Sequence, residues 1–198
     1  MLVIGLCGSS GAGKGYVCRA FEKYGVAYID TDLVYHQLID KSTPCSIELA
    51  FEFGKEILRE SGGIDRAALA QRVFSSRDAL LTLNKIAHKH IRKKTEALIE
   101  DYRSKGKVAT IVDAPVLFES GFDDMCDYTI CVVAPTELKL KRIMERDNIT
   151  EEMARKRLDN QLTDKELTYR CDFTIKNSEG ENLEDQILGV LSKLKFDK

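Results

Sequence analysis

The stretch GLCGSSGAGKGYV, Gly5 to Val17, constrains the fold more than any other part of this 198-residue chain. It fits G-x-x-x-x-G-K with Gly8, Gly13 and Lys14. The apolar run MLVIGLCG precedes it, and a helical pattern from Lys14 to Tyr24 follows, with Val17, Ala20 and Phe21 on one face. Glycines let successive backbone N–H groups turn inward around a phosphate chain, and the start of the helix adds partial positive charge. Lys14 supplies a point charge to the β- and γ-phosphates of a nucleotide. A strand opening into a helix through such a loop is the first unit of a parallel sheet. The competing reading is a glycine-rich turn that holds no ligand.

The rest of the chain continues the alternation. VAYID, KVATIVDAPVLF, YTICVVAP and FTIKNS read as four further strands, giving five in all. From Ser76, a long helical stretch places Leu80, Leu83, Ala87, Ile91 and Leu98 at helical spacing, and Gly106 closes it. Thr136 is expected to cap ELKLKRIMERD and Thr150 to cap EEMARKRLDNQL, while TDKE at Thr163 to Glu166 fits a capping box. Strands separated by helices predict an α/β fold with a doubly wound parallel sheet. The stretch between Leu33 and Lys107 exceeds one crossover and predicts a helical substrate lobe. The expected organisation is a single domain with core segments 1–32, 107–135 and 171–198, a helical lobe at about 33–106 and a lid at about 136–170.

Composition narrows the partners. A formal net charge of −2 gives no overall field for nucleic acid or an anionic membrane, so an anionic substrate must be held by local cations and backbone N–H groups. Apolar runs fall far short of the ~20 residues of a membrane span, and MLVIGLCG lacks a basic n-region, so it reads as a strand. The six cysteines form no C-x-x-C pair and read as buried hydrophobes in a reducing cytosol. His88 and His90 in AHKHIR have no cysteine nearby and do not suggest zinc. A small-molecule substrate, a cytoplasmic location and a monomer or small homo-oligomer are expected.

Several residues carry candidate chemistry. YIDTD places Asp30 and Asp32 at the end of the second strand, where ligands of such sheets gather. One carboxylate there could accept a proton from an attacking hydroxyl, and the other could order Mg²⁺ waters; ordinary turn or cap aspartates are the alternative. IVDAP ends another strand in Asp113, an arrangement able to hold Mg²⁺ through water. Gly15 stands where a hydroxyl residue usually follows the lysine and ligates Mg²⁺ directly. Adenylate-kinase-type loops also read G-K-G, with water in that coordination position. Arg142 and Arg146 share a helix face, and Arg155 and Arg157 follow. They read either as a solvated face or as lid cations that neutralise a transferring phosphoryl group.

Taken together and in order, these segments resemble the dephospho-CoA kinase family over nearly the whole length. The likeness rests on GSSGAGKG, YIDTD, LNKIAHKHI, DAPVLFE, LKRIMERD, ARKRLDNQ and CDFTIKNSEG. It implies a P-loop kinase core that phosphorylates the ribose 3′-hydroxyl of dephospho-CoA with ATP and Mg²⁺. It implies Asp32 as general base, with Asp30 the runner-up, and Lys14 and Arg142 as stabilisers of the γ-phosphoryl group. ATP would be held by Gly11, Ala12, Gly13, Lys14, Gly15, Tyr16, Arg142 and Asn177. The acceptor would meet Asp32, His36, His88, Arg92 and Glu119, and the metal would be held by Asp30 and Asp113 through water. Gly15, His36 in place of an arginine and Lys89 in place of a proline depart from the family pattern.

Other readings remain at this stage. An adenylate-kinase-like nucleoside monophosphate kinase fits G-K-G but needs acceptor arginines that Leu33 to Ala50 lacks. A GTPase switch needs an N-K-x-D reader, and NKIA at Asn84 to Ala87 has no aspartate. A degenerate, non-catalytic nucleotide-binding protein is suggested by Gly15 and His36.

Overall fold

The computed structural model describes residues 1–74 and 76–194, so the expected lobe is seen without residue 75 and the last core segment without 195–198. Five strands, β1 (Leu2–Cys7), β2 (Ala27–Asp30), β3 (Ala109–Asp113), β4 (Tyr128–Val133) and β5 (Phe173–Lys176), form one sheet in the order β2-β3-β1-β4-β5. All run parallel, with Leu6 of β1 opposite Asp113 of β3 and Ile130 of β4. The central strands are buried on both faces, which explains their unbroken apolar runs. β3 is shorter than its apolar run, because Pro115 offers no N–H to a ladder and residues 115–120 form turns.

The helices are α1 (Lys14–Glu22), α2 (Thr31–Ile39), α3 (Pro44–Phe53), α4 (Arg66–Val73), α5 (Arg77–Ser104), α6 (Thr136–Asp147), α7 (Glu151–Asp159), α8 (Asp164–Arg170) and α9 (Leu183–Leu191). The chain separates into two compact units, Met1–Ile29 with Asp101–Lys198, and Asp30–Glu100.

In the first unit, Ile4, Leu6, Val17, Phe21, Ile111, Ile130, Ile175 and Ile187 belong to one core that joins the sheet to α1 and α9. Each fully buried aliphatic side chain of this kind contributes about 1.5–3 kcal/mol relative to exposure. Its smaller cluster, Leu140, Ile143 and Ala154, packs α6 on α7. Thr150 accepts the Met153 N–H, and Thr163 and Glu166 close a capping box on α8. Thr136 does not cap α6: it is the first helical residue, and Pro135 occupies the cap position without a side-chain bond.

In the second unit, Ile39, Cys45, Leu49, Ile57, Ile64, Leu69, Val73 and Ile86 form a separate core. The buried stripe of α5 is Ile86, Ala87, Ile91, Thr95 and Ile99. Leu80, expected on that stripe, is exposed. All six cysteines are free thiols, four of them buried. Among the described residues, no helix is long and apolar enough to cross a membrane, and no three His, Cys, Asp or Glu side chains gather as a metal cluster.

Candidate active site

β1 delivers the chain at Cys7 into the loop of residues 8–13, and α1 begins at Lys14. The first N–H groups of any helix lack intrahelical acceptors, so this helix start is an anion-binding surface. The carbonyls of Gly11 and Ala12 are held by side chains from other elements. Arg142 on α6 donates through Nη1 to the carbonyls of Gly11 (3.1 Å) and Ala12 (3.3 Å). Asn177, just past β5, donates through Nδ2 to Ala12 O at 2.7 Å, and Arg142 Nη2 reaches Asn177 O at 3.4 Å. Lys14 Nζ folds back to Gly8 O at 3.2 Å. With the carbonyls engaged, the loop can present N–H groups and cations to a phosphate chain.

Gly13 has φ of +90°, and a Cβ there would lie 2.1 Å from Asn177 Nδ2. Only glycine allows this approach. Gly15 is different: its φ is ordinary, and an added Cβ would meet only Arg19 Nη1, at 3.6 Å. A cleft of about 480 Å³ opens beside the loop between α1, the end of β5 and α9. Its lining is mostly polar and charged, Arg142, Asn177, Lys176 and Glu184 among it, with a smaller apolar part that includes Leu183 and Ile187.

Asp113 ends β3 beside β1, opposite Leu6, and is buried; Tyr28 Oη donates to its Oδ2 at 3.3 Å. Glu119 lies exposed in the turns that follow. The other candidate lid cations have carboxylate partners. Arg146 donates to Asp147 at 2.8 and 2.9 Å, and Arg157 also bonds Asp147. These guanidiniums, Arg146 first, hold the Asp147 carboxyl well below the usual range. Arg155 pairs with Glu151 at 2.7 Å. Of the four arginines, Arg142 is the one that bonds the phosphate loop.

The remaining candidates belong to the second unit. Asp30 is the N-cap of α2, its Oδ1 accepting the Leu33 N–H at 2.9 Å. Asp32 is not at a strand end: α2 starts at Thr31, directly after β2, which puts Asp32 exposed in the first helical turn. His36 follows one turn later, so Asp32 and His36 share a helix face. His88 and Arg92 are likewise one turn apart on α5. His88 is half-buried, and this burial lowers its pKa. His90 is committed elsewhere, to Glu48 Oε2 at 2.7 Å.

Sequence reasoning missed Ser9, Lys139, Gln161 and Asp164, which also hold the loop. The available signal was weak: Lys139 lies three residues before Arg142, on neighbouring helix surface.

Comparison with known proteins agrees with this geometry. The sequence profile of the dephospho-CoA kinase family matches residues 2–182. The chain is 33% identical over 195 residues to a dephospho-CoA kinase of Syntrophotalea carbinolica, covering 98% of this chain and 92% of that one. It is 35% identical over 178 residues to that of Corynebacterium diphtheriae, covering 90% and 89%. Among solved structures, a Thermus thermophilus protein superposes with a TM-score of 0.81 at 27% identity, over 98% of both chains. The dephospho-CoA kinase of Campylobacter jejuni gives 0.69 at 28%, over 96% of both. A phosphate loop on a five-stranded parallel sheet, with its carbonyls held by Arg142 and Asn177, and a family match over nearly the whole length lead to one assignment: the chain belongs to the dephospho-CoA kinase family.

Proposed function

We infer that the protein transfers the γ-phosphoryl group of ATP to dephospho-CoA, giving CoA and ADP. The observation that carries this reading is the family match over residues 2–182, joined to a lysine-bearing phosphate loop at the end of β1. The acceptor is the ribose 3′-hydroxyl. The core binds the nucleotide, residues 33–106 form the acceptor lobe, and residues 136–170 act as a lid.

Phosphoryl transfer needs positioning and charge stabilisation more than covalent chemistry. Lys14 gives up the Gly8 carbonyl and takes the β- and γ-phosphates; Arg142 stabilises the equatorial oxygens from α6. Tyr16 and Asn177 border the cleft that receives the nucleoside. Asp32 accepts the hydroxyl proton. Its exposure leaves it accessible to an acceptor. Asp30, whose Oδ1 caps the helix, is the runner-up base. His36, His88, Arg92 and Glu119 supply acceptor contacts.

The residues present fit Mg²⁺ with few direct protein ligands. Gly15 has no hydroxyl, and Asp113 is a single buried carboxylate at a strand end beside the loop. Asp113, with Asp30, would hold waters of the ion's shell; Mg²⁺ keeps several waters readily and would neutralise phosphate charge. The test is ADP release from Mg²⁺-ATP against a panel of acceptors. Release stimulated by dephospho-CoA and not by AMP is expected. Equal release with and without dephospho-CoA overturns the assignment.

A further inference from the structure

Lys139 is 6% exposed, an unusual place for a lysine. Its Nζ donates to Asp164 Oδ1 at 2.9 Å and to Ser9 Oγ at 3.1 Å. The Ser9 hydroxyl in turn donates to the same Asp164 oxygen at 3.1 Å. Three side chains, from the phosphate loop, α6 and the start of α8, therefore close a triangle. Next to it, Gln161 Oε1 accepts the Ser10 N–H at 2.8 Å. The loop backbone also rests directly on α6: a Cβ on Gly11 would lie 2.5 Å from the Lys139 carbonyl oxygen and 2.8 Å from its Cα.

Lys139 is buried and Asp164 partly buried, and an ion pair so withdrawn from water is a poor way to gain stability, since desolvation offsets much of the attraction. Its location gives it a different use. We propose that Lys139 is a positioning residue whose ion pair with Asp164 aligns the first half of the phosphate loop and keeps it electrically neutral for an incoming polyphosphate. This rests on the reading above, that the loop binds the donor nucleotide.

The charge argument predicts asymmetry. Without Lys139, the Asp164 carboxylate stands uncompensated against Ser9 and repels the nucleotide phosphates through a partly desolvated region, where charges interact strongly. Without the Asp164 charge, Lys139 remains as an extra cation beside the loop, which opposes only the alignment. Removing both charges together with retained hydrogen bonding leaves the loop neutral again. A purely structural pair would instead weaken nucleotide binding equally from either side.

The experiment measures the ADP dissociation constant by calorimetry and KM for each substrate in Lys139→Met, Asp164→Asn and the double variant Lys139→Gln/Asp164→Asn. Lys139→Met should raise the ADP Kd and the ATP KM about tenfold or more, with the dephospho-CoA KM changed less than about threefold. Asp164→Asn should change the ADP Kd by no more than about threefold, and the double variant should return to within about threefold of wild type. Should Lys139→Met not fold, Ser9→Ala keeps the ion pair and removes only its link to the loop, and a several-fold rise in ADP Kd is expected. Equal weakening in the two single variants, an unchanged ADP Kd in Lys139→Met, or, where that variant does not fold, an unchanged Kd in Ser9→Ala overturns the proposal. A wild-type protein that binds ADP normally but ignores dephospho-CoA would sink the kinase reading and leave this one standing.

Discussion

Asn177 and Ala12, 165 residues apart, are joined by a 2.7 Å hydrogen bond from the side-chain amide to the loop carbonyl. The amide occupies the space that a side chain at Gly13 would need. Gly13→Ala should therefore disturb the loop twice, through a left-handed backbone costing about 1–2 kcal/mol and through a clash with Asn177. ADP affinity and thermal stability should both fall. Normal ADP binding by a Gly13→Ala protein would show that the loop tolerates a different path.

Lys14→Ala removes the cation assigned to the β- and γ-phosphates. A loss in kcat/KM of about 10²-fold or more is expected, on the order of 3 kcal/mol. The fold should be intact, because the Lys14 ammonium bonds a loop carbonyl at 3.2 Å and is not part of a hydrophobic core. Steady-state kinetics with Mg²⁺-ATP decide it, and activity within a few-fold of wild type would remove the loop as donor site.

Asp32→Asn preserves shape and removes the base, so kcat should drop by about 10²–10⁴-fold while ATP binding stays close to wild type. Asp30→Asn should be milder than Asp32→Asn, since asparagine caps a helix about as well as aspartate and its amide oxygen still accepts a bond from a water of the ion's shell. Asp30→Ala should lose about 1 kcal/mol of stability with the Leu33 bond. The opposite pattern, with Asp30→Asn inactive and Asp32→Asn normal, would exchange the two roles.

How much of this was readable in advance depended on range. The five strands and the phosphate loop follow from local apolar runs and one dense motif, and the Thr150 and Thr163 caps from short patterns. Asp32 was misread as a strand end because β2 passes into α2 with no turn residue to mark the change. Thr136 was misread as a cap because Pro135 takes that position. Lys139 and Asp164 left only a weak local trace, the three-residue spacing of Lys139 from Arg142 and a place for Asp164 within TDKE. In KLKRIMERD a lysine looks like part of a solvated face, yet Lys139 is buried, its Nζ bonded to Ser9 and Asp164 from distant parts of the chain. Leu80 shows the converse: helical spacing put it on the buried stripe, yet it is exposed while Ala79 and Leu83 beside it pack on the core.

His88 supplies a pH dependence. Burial lowers its pKa, so the folded chain favours the neutral ring. Stability linked to this residue is complete above the unfolded value of about 6.5 and is lost as pH falls through the lower folded value. His88→Gln should lose less stability than wild type on acidification from about pH 7 to about pH 5. Urea unfolding at the two pH values measures this, and identical losses would exclude His88 as a contributor.

Gly15 is the position where the loop departs from its usual chemistry, and the space around it makes a clean test possible. An added Cβ meets only Arg19 Nη1, at 3.6 Å, and the backbone is one that any residue adopts in the first turn of a helix. Gly15→Ser should thus be tolerated and should stabilise the protein by about 0.5 kcal/mol through helix propensity alone. For a chain of this size that raises the melting temperature by about 1–2 °C. If wild-type Mg²⁺ is held by nucleotide oxygens and waters, the new hydroxyl replaces one water and kcat/KM should move no more than a few-fold. The decisive measurement is a high-resolution structure of the wild-type protein with Mg²⁺ and an unreactive ATP analogue. A side-chain oxygen from positions 14 to 18 bonded to the ion at about 2.1 Å would rule out the water-filled arrangement. Tyr16 carries the only such oxygen in that stretch, and the residue is 57% exposed and lines the cleft, so water is the expected ligand.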